Sequence, residues 1–443
     1  RASLAAHQIN LYGPDAEAAP ALGVTPSDQV DPERFLAAAA AVGDRLDELA
    51  LKSGDEATWI GLHSTQGRDW RLTPLGRDLY SGLPGVAVFL AQLAALTGEA
   101  RHQRLARAAW STVWNQRAAV RDIIHSIGGF DGHGGMLWAL VQLERLWGGG
   151  ELAIEAHAVV ERMRDLVVED EAYDVLAGAA GAIAGLLALH RAVPSDQTLA
   201  VAVACGEHLL ERARPMARGA AWLSPAMKRI AAEPLTGFAH GAAGCGWALL
   251  ELAAATGDDR FRRAALDAFE YERGLFEPEL GTWREVRHIE RSAVNVAVSQ
   301  GDDIYMLAWC HGAPGIGLSR LRALRHRPDP ELHAEAAVAI ESTLARGFDR
   351  SHCLCHGDLG NAEVLLEAAA VLDDAPRWRA KANRAGGRVL ESIATHGWRS
   401  GLPRGVEVPG LMTGLAGIGY GFLRLARPAL IPSVLLLDPP VPG

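Results

Sequence analysis

A pair of glycines separated by two residues, G-x-x-G, recurs seven times along this 443-residue chain. The pairs are Gly82/Gly85, Gly132/Gly135, Gly178/Gly181, Gly241/Gly244, Gly312/Gly315, Gly357/Gly360 and Gly414/Gly417, with successive first glycines 45 to 71 residues apart. One such pair carries almost no information. Seven pairs, each opening a similar apolar run, are the signature of a repeat architecture. The runs read as helices. GVAVFLAQLAAL beginning at Gly85 and GAIAGLLAL beginning at Gly181 are apolar almost all round, as buried helices are. Amphipathic segments lie between them, such as those starting at His102, Glu151 and Pro330. Helix starts are expected at the capping residues Ser195, Asp258, Asp329 and Asp374. An amphipathic helix precedes each glycine pair, the first starting at Pro32.

Strict alternation of outer and inner helices predicts an all-α fold, an α/α toroid in which seven inner helices form a barrel and seven outer helices cover it. Each glycine pair then opens an inner helix, and all seven turns lie at one end of the barrel. No strand-rich region competes with this reading. The stretch from about Glu277 to Val298 is the least helical and is expected to form a lid or a short hairpin. Length alone would suggest several domains; the repeat argues for one, over residues 31–443, with 1–30 as a linker or the end of an upstream domain.

Composition narrows the function. With 49% hydrophobic and 22% charged residues the chain is globular rather than disordered. A net charge of −10 argues against nucleic acid as a partner, which calls for a basic face. No apolar run is long enough to span a membrane, and the N-terminus lacks the layout of a signal peptide. It begins with Arg1 rather than Met, as a piece of a longer protein would. Five cysteines, an odd number in a large chain, do not suggest a disulfide framework. They fit a reducing, cytoplasmic setting, where thiols are available to bind metal.

Aligning the repeats on their first glycine gives LYSG, GFDG, VLAG, FAHG, WCHG, LCHG and LMTG. Histidine precedes the glycine in repeats four, five and six (His240, His311 and His356), and cysteine stands one step earlier in repeats five and six (Cys310 and Cys355). In a toroid these places converge on one rim. Zinc takes thiolate sulfur and imidazole nitrogen readily, and a catalytic zinc keeps three protein ligands and one open position. Cys310, Cys355 and His356 supply such a set, and the positive end of a helix favours thiolate. Cys353 is a rival ligand, but it stands out of the repeat register. Cys205 and Cys245 read as small hydrophobes, His133 as a turn residue, and Trp59 and Trp70 as packing or substrate-facing groups.

The motifs WCHGAPGIGLSR and LCHGDLGNAEVLLEAA closely resemble the zinc motifs of lanthionine synthetase cyclases, the LanC-like family. The wider pattern, including RLTPLGRDLYSGLPGVAVFL, GFAHGAAG and GLMTGLAGIGYGFLRLARP, looks like the C-terminal cyclase domain of class II lanthipeptide synthetases (LanM). The resemblance runs from about Asp31 to the C-terminus. It implies an α/α toroid, zinc held by Cys310, Cys355 and His356, and His240 as general acid/base with Asp174 close to it. The substrate it implies is a dehydrated precursor peptide with its leader, ringed by addition of cysteine thiols to dehydroalanine or dehydrobutyrine. Fusion to an N-terminal dehydratase domain in the full protein is also implied. Two positions depart from the single-domain cyclases: Met306 stands where they carry arginine, and His311 where they often have tyrosine. His311 is therefore a second candidate for proton transfer or substrate contact.

Rival readings remain at this point. Other α/α-toroid enzymes share the fold, but a glycosidase needs a carboxylate pair, and only Asp131 and Asp174 stand near the turns. A non-catalytic LanC-like module that binds thiols or peptides would keep the metal triad without forming rings.

Overall fold

The computed structural model describes residues 30–65, 69–120, 124–287, 297–300 and 303–441. The expected linker, up to Val30, lies outside the described residues except for Val30 itself. Fourteen α-helices alternate along the described chain: α1 (Pro32–Leu49), α2 (Leu83–Thr97), α3 (Ala100–Val120), α4 (His133–Trp147), α5 (Glu151–Leu166), α6 (Ala179–Ala192) and α7 (Asp196–Arg212). The second half continues with α8 (Ala242–Thr256), α9 (Asp259–Arg273), α10 (Ala313–His326), α11 (Pro330–Arg346), α12 (Asp358–Val371), α13 (Ala375–His396) and α14 (Leu415–Ala426). The even-numbered helices touch one another in chain order, and α14 closes against α2. Each odd-numbered helix from α3 to α13 covers the inner helix before it, while α1 covers α14. The fold is an α/α toroid with seven inner and seven outer helices, as the repeat predicts. All four expected caps, Ser195, Asp258, Asp329 and Asp374, accept a backbone hydrogen bond in the first turn of their helix.

Burial follows the patterning. Residues 83–94 of α2 are buried without interruption. By contrast, α9 buries only one face, formed by Phe261, Ala265, Ala268, Phe269, Tyr271 and Glu272. The barrel is not a pore. After α14 the chain folds back on it, burying Ile431 and Val434 to Leu437. The indole of Trp138 on α4 donates to the Asp438 carbonyl at 2.7 Å.

The glycine pairs have a shared mechanical reason. Each first glycine is the N-cap of its inner helix. At every second glycine an added Cβ would stand no more than 2.7 Å from the carbonyl oxygen six residues earlier, Leu354 in the case of Gly360. Only a residue without Cβ lets the turn fold so tightly onto the helix. Gly312 is further constrained by a left-handed φ of 95°.

Among the described residues, short strands occur in five two-stranded antiparallel ladders. Two antiparallel pairs, β1–β2 (Leu51–Ser53, Glu56–Thr58) and β3–β4 (Ile60–Thr65, Asp69–Pro74), lie between α1 and α2, a segment to which the sequence reading assigned no element. A minor ladder, β5–β6 (Arg214–Pro215, Ala220–Ala221), follows α7. The non-helical stretch before the fifth repeat holds β7–β8 (Phe276–Glu277, Thr282–Trp283) and β9–β10 (Ala297–Gln300, Asp303–Met306). The expected short hairpin is thus present at 276–283, while residues 288–296 lie outside the described ones.

Candidate metal centre and proton-transfer pair

The seven turns are joined edge to edge by backbone hydrogen bonds. The amide of Tyr80 donates to the Phe130 carbonyl, Phe130 to Leu176, Leu176 to Ala239, Ala239 to Cys310, Cys310 to Cys355, Cys355 to Met412, and Met412 back to Tyr80, all at 2.8 to 3.2 Å. These are the residues two places before each first glycine. The sequence column is therefore a closed ring in space, and Cys310 and Cys355 are neighbours on it.

That adjacency assembles a donor set. One ligand atom each from Cys310, Cys355 and His356 lie within 4.8 Å of one another. Both sulfurs are buried, and the imidazole is half-buried. Nε2 of His356 stands 2.9 Å from the Gly401 carbonyl. A carbonyl can only accept, so Nε2 carries the proton and Nδ1 keeps its lone pair. This is how metal-binding imidazoles are oriented. So close together, the two thiols are pushed apart in acidity: the Cys355 thiol draws Cys310 well down, and Cys310 pushes Cys355 well up. A divalent cation bound by these three residues would keep both sulfurs as thiolates, so the donor set fits zinc. Cys353 falls outside the group; it is fully buried, with Sγ 3.4 Å from Ser351 Oγ.

On the adjoining turn, His240 Nδ1 is 2.7 Å from Oδ2 of Asp174, a buried carboxylate whose other oxygen accepts from the Ala177 amide. Burial opposes charge on this imidazole, but the Asp174 carboxylate, by attraction and by hydrogen bond, outweighs it and holds His240 above 6.5. His311 stacks on His240 with ring centroids 5.7 Å apart and planes at 26°. Its Nδ1 is 3.8 Å from Oε2 of Glu285. Burial, then Arg287, then His240 push His311 well below 6.5. The two rings are thus inequivalent, one favouring its proton and the other losing it.

The structure brings together Cys310, Cys355 and His356, and, beside them, His240, Asp174 and His311. It takes up the carboxylates a glycosidase would use: Asp174 serves His240, and Asp131 accepts from Ser126 Oγ at 2.9 Å. His133 opens α4, with Nε2 3.2 Å from the Ile124 carbonyl and a pKa lowered to about 4 by burial. Trp59 is core, its indole donating to the Leu46 carbonyl at 2.8 Å, whereas Trp70 is half-buried in β4.

Four groups around the site were not singled out from sequence. Tyr80 occupies the same ring column as the cysteines, and burial, then the Cys355 sulfur, push its phenol well up; the LYSG alignment was the available signal. Gly401, Glu285 and Arg287 come from segments outside the repeat, where no column marks them.

The match to a family model described as lanthionine synthetase C-like protein covers residues 73–436. The lacticin 481/lactococcin biosynthesis protein LcnDR2 of Lactococcus lactis subsp. lactis is 29% identical over 143 residues, 28% of this chain. The matched stretch spans 15% of that protein's length. Among solved structures, nisin cyclase superposes over 91% of this chain and 98% of its own with a TM-score of 0.65 at 17% identity, which establishes a common fold.

Proposed function

We propose, since this chain belongs to the lanthionine synthetase C-like family, that it is a lanthipeptide cyclase, closing (methyl)lanthionine thioethers in a dehydrated precursor peptide. The observation that carries the reading is the meeting of Cys310, Cys355 and His356 within 4.8 Å on adjacent turns of a closed ring, with the His240–Asp174 pair on the next turn. Cys310, Cys355 and His356 would hold zinc, which supplies an open coordination position where a peptide thiol, ordinarily of pKa about 8.5, is deprotonated at neutral pH.

The chain's own residues then manage the protons. The sulfur's lone pair forms the bond to the β-carbon of dehydroalanine or dehydrobutyrine, and the alkene pair moves toward the carbonyl oxygen. The α-carbon must next take a proton. His240 is the donor in this reading, because Asp174 fixes its Nδ1–H and holds the ring in its acid form, leaving Nε2 for the substrate. Neutral His311, stacked against it, lines the site and keeps water from one face of that ring.

Residues 31–443 are the cyclase in this account. Dehydration of serine and threonine is separate chemistry, assigned to a dehydratase domain ahead of residues 1–30. A two-thiolate centre requires a reducing compartment such as the cytoplasm, in keeping with five unpaired cysteines. The test uses a peptide carrying one dehydroalanine and one downstream cysteine, with ring closure read by mass spectrometry as protection of the thiol from alkylation. Protection that disappears in Cys310→Ala and Cys355→Ala is expected. Binding of the peptide with no thioether formed would make the chain a thiol-binding module instead.

A further inference from the structure

Sulfur addition leaves a negative charge to be dealt with. As the alkene pair moves, the carbonyl oxygen of the dehydroamino acid becomes an enolate oxygen and stays so until the α-carbon is protonated. His240 supplies the proton, but a buried oxygen anion also needs a fixed positive partner. Among the described residues, Arg287 is a cation set beside the two imidazoles, reached through Glu285.

Its placement is specific. Arg287 follows β8 and makes an antiparallel backbone bridge to Ala231. Its Nη2 lies 2.7 Å from Oε2 of Glu285, a carboxylate with only 1% of its side chain exposed. That same oxygen is 3.8 Å from His311 Nδ1, and the His311 ring stacks on His240. The second carboxylate oxygen of Glu285 accepts from the Arg287 amide at 3.0 Å, so one buried acid clamps both the backbone and the guanidinium. The guanidinium keeps 19% of its side-chain surface accessible. Through Glu285 and His311 the guanidinium is tied to the ring that stacks on the proton donor, His240.

We propose that Arg287 is a catalytic residue that stabilises the enolate oxygen, and that Glu285 is the positioning residue that holds it there. The step balances without a further reactant. The sulfur pair makes the C–S bond, the alkene pair becomes the enolate, and the proton from His240 restores the carbonyl. Arg287 neither gains nor loses a proton, as suits a guanidinium. The proposal rests on the cyclase reading above.

The experiment compares wild type, R287Q, R287K and E285Q on the dehydroalanine–cysteine peptide, with zinc content measured on each. R287Q should lose about 10²–10³-fold in kcat with KM little changed and zinc stoichiometry intact. R287K, which keeps a charge, should retain more than R287Q, and E285Q should fall between R287Q and wild type. Equal rates for R287Q and wild type, equal rates for R287K and R287Q, or a loss of zinc in parallel with activity would each overturn the assignment. A wild-type chain that forms no thioether removes the cyclase reading itself, whereas wild-type turnover unchanged in R287Q removes only this proposal.

Discussion

Replacing Glu272 with alanine tests how the turn that carries His240 is held. Glu272 sits at the end of α9, fully buried. Its Oε1 accepts from the amides of Gly237 and Ala243 at 2.9 and 3.0 Å, one on each side of His240. Its Oε2 is 2.9 Å from Nη1 of Arg320, which is also fully buried, lies 3.9 Å over the Phe269 ring and pairs through Nε with Glu335 at 2.6 Å. Alanine strands two buried N–H groups, each costing about 1–3 kcal/mol, and deprives a buried guanidinium of one of its two carboxylates. These losses share one carboxylate and do not add, so the expected destabilisation is about 3–5 kcal/mol, as for breaking a buried ion pair. Urea unfolding followed by circular dichroism and tryptophan fluorescence reads it. Glu272→Gln keeps an acceptor oxygen for the amides and should lose less. In the Glu272→Ala/Arg320→Met double variant the orphaned charge is gone, so the loss should be smaller than the sum of the two single losses. A Glu272→Ala loss under about 1 kcal/mol, or strict additivity in the double variant, would refute the strut.

Two further perturbations probe the site and the repeat. Asp174→Asn removes the carboxylate that keeps His240 protonated above pH 6.5. A raised histidine pKa means the acid form is complete at low pH and is lost as pH rises through the folded value. The falling alkaline limb of kcat should therefore move to lower pH in the variant, and an unchanged limb would clear Asp174 of the role. Gly360→Ala drives a Cβ into the Leu354 carbonyl beside the Cys355–His356 turn, so a loss of about 3 kcal/mol is expected together with zinc. Gly257→Ala, at a helix end with φ of 75° and open space around it, should cost about 1 kcal/mol with zinc retained. Equal zinc content in the two variants would contradict the ring geometry.

What was legible in the sequence was whatever the repeat repeats. The seven glycine pairs gave the barrel and its polarity, and the column ahead of them gave Cys310, Cys355, His240, His311 and His356, because a closed ring of backbone hydrogen bonds turns register in sequence into adjacency in space. Asp174 lies outside that column by two places and was reached through family resemblance. Glu285, Arg287 and Gly401 arrive from inserted segments, and Glu272 and Arg320 meet from α9 and α10; such contacts depend on tertiary packing and leave no periodic trace. The hairpins at 51–74 were missed because their strands are three to six residues long. Even so, Ser53–Gly54–Asp55, with Gly54 at a φ of 58°, marks the first turn.

The most direct measurement is X-ray absorption at the zinc edge of the purified chain. The account predicts one zinc per chain with two sulfurs at about 2.3 Å and a nitrogen at about 2.0–2.1 Å. A third sulfur should join the shell when a cysteine peptide is added. A chain that forms thioethers with no zinc bound, or a zinc whose shell lacks two sulfurs, would contradict it.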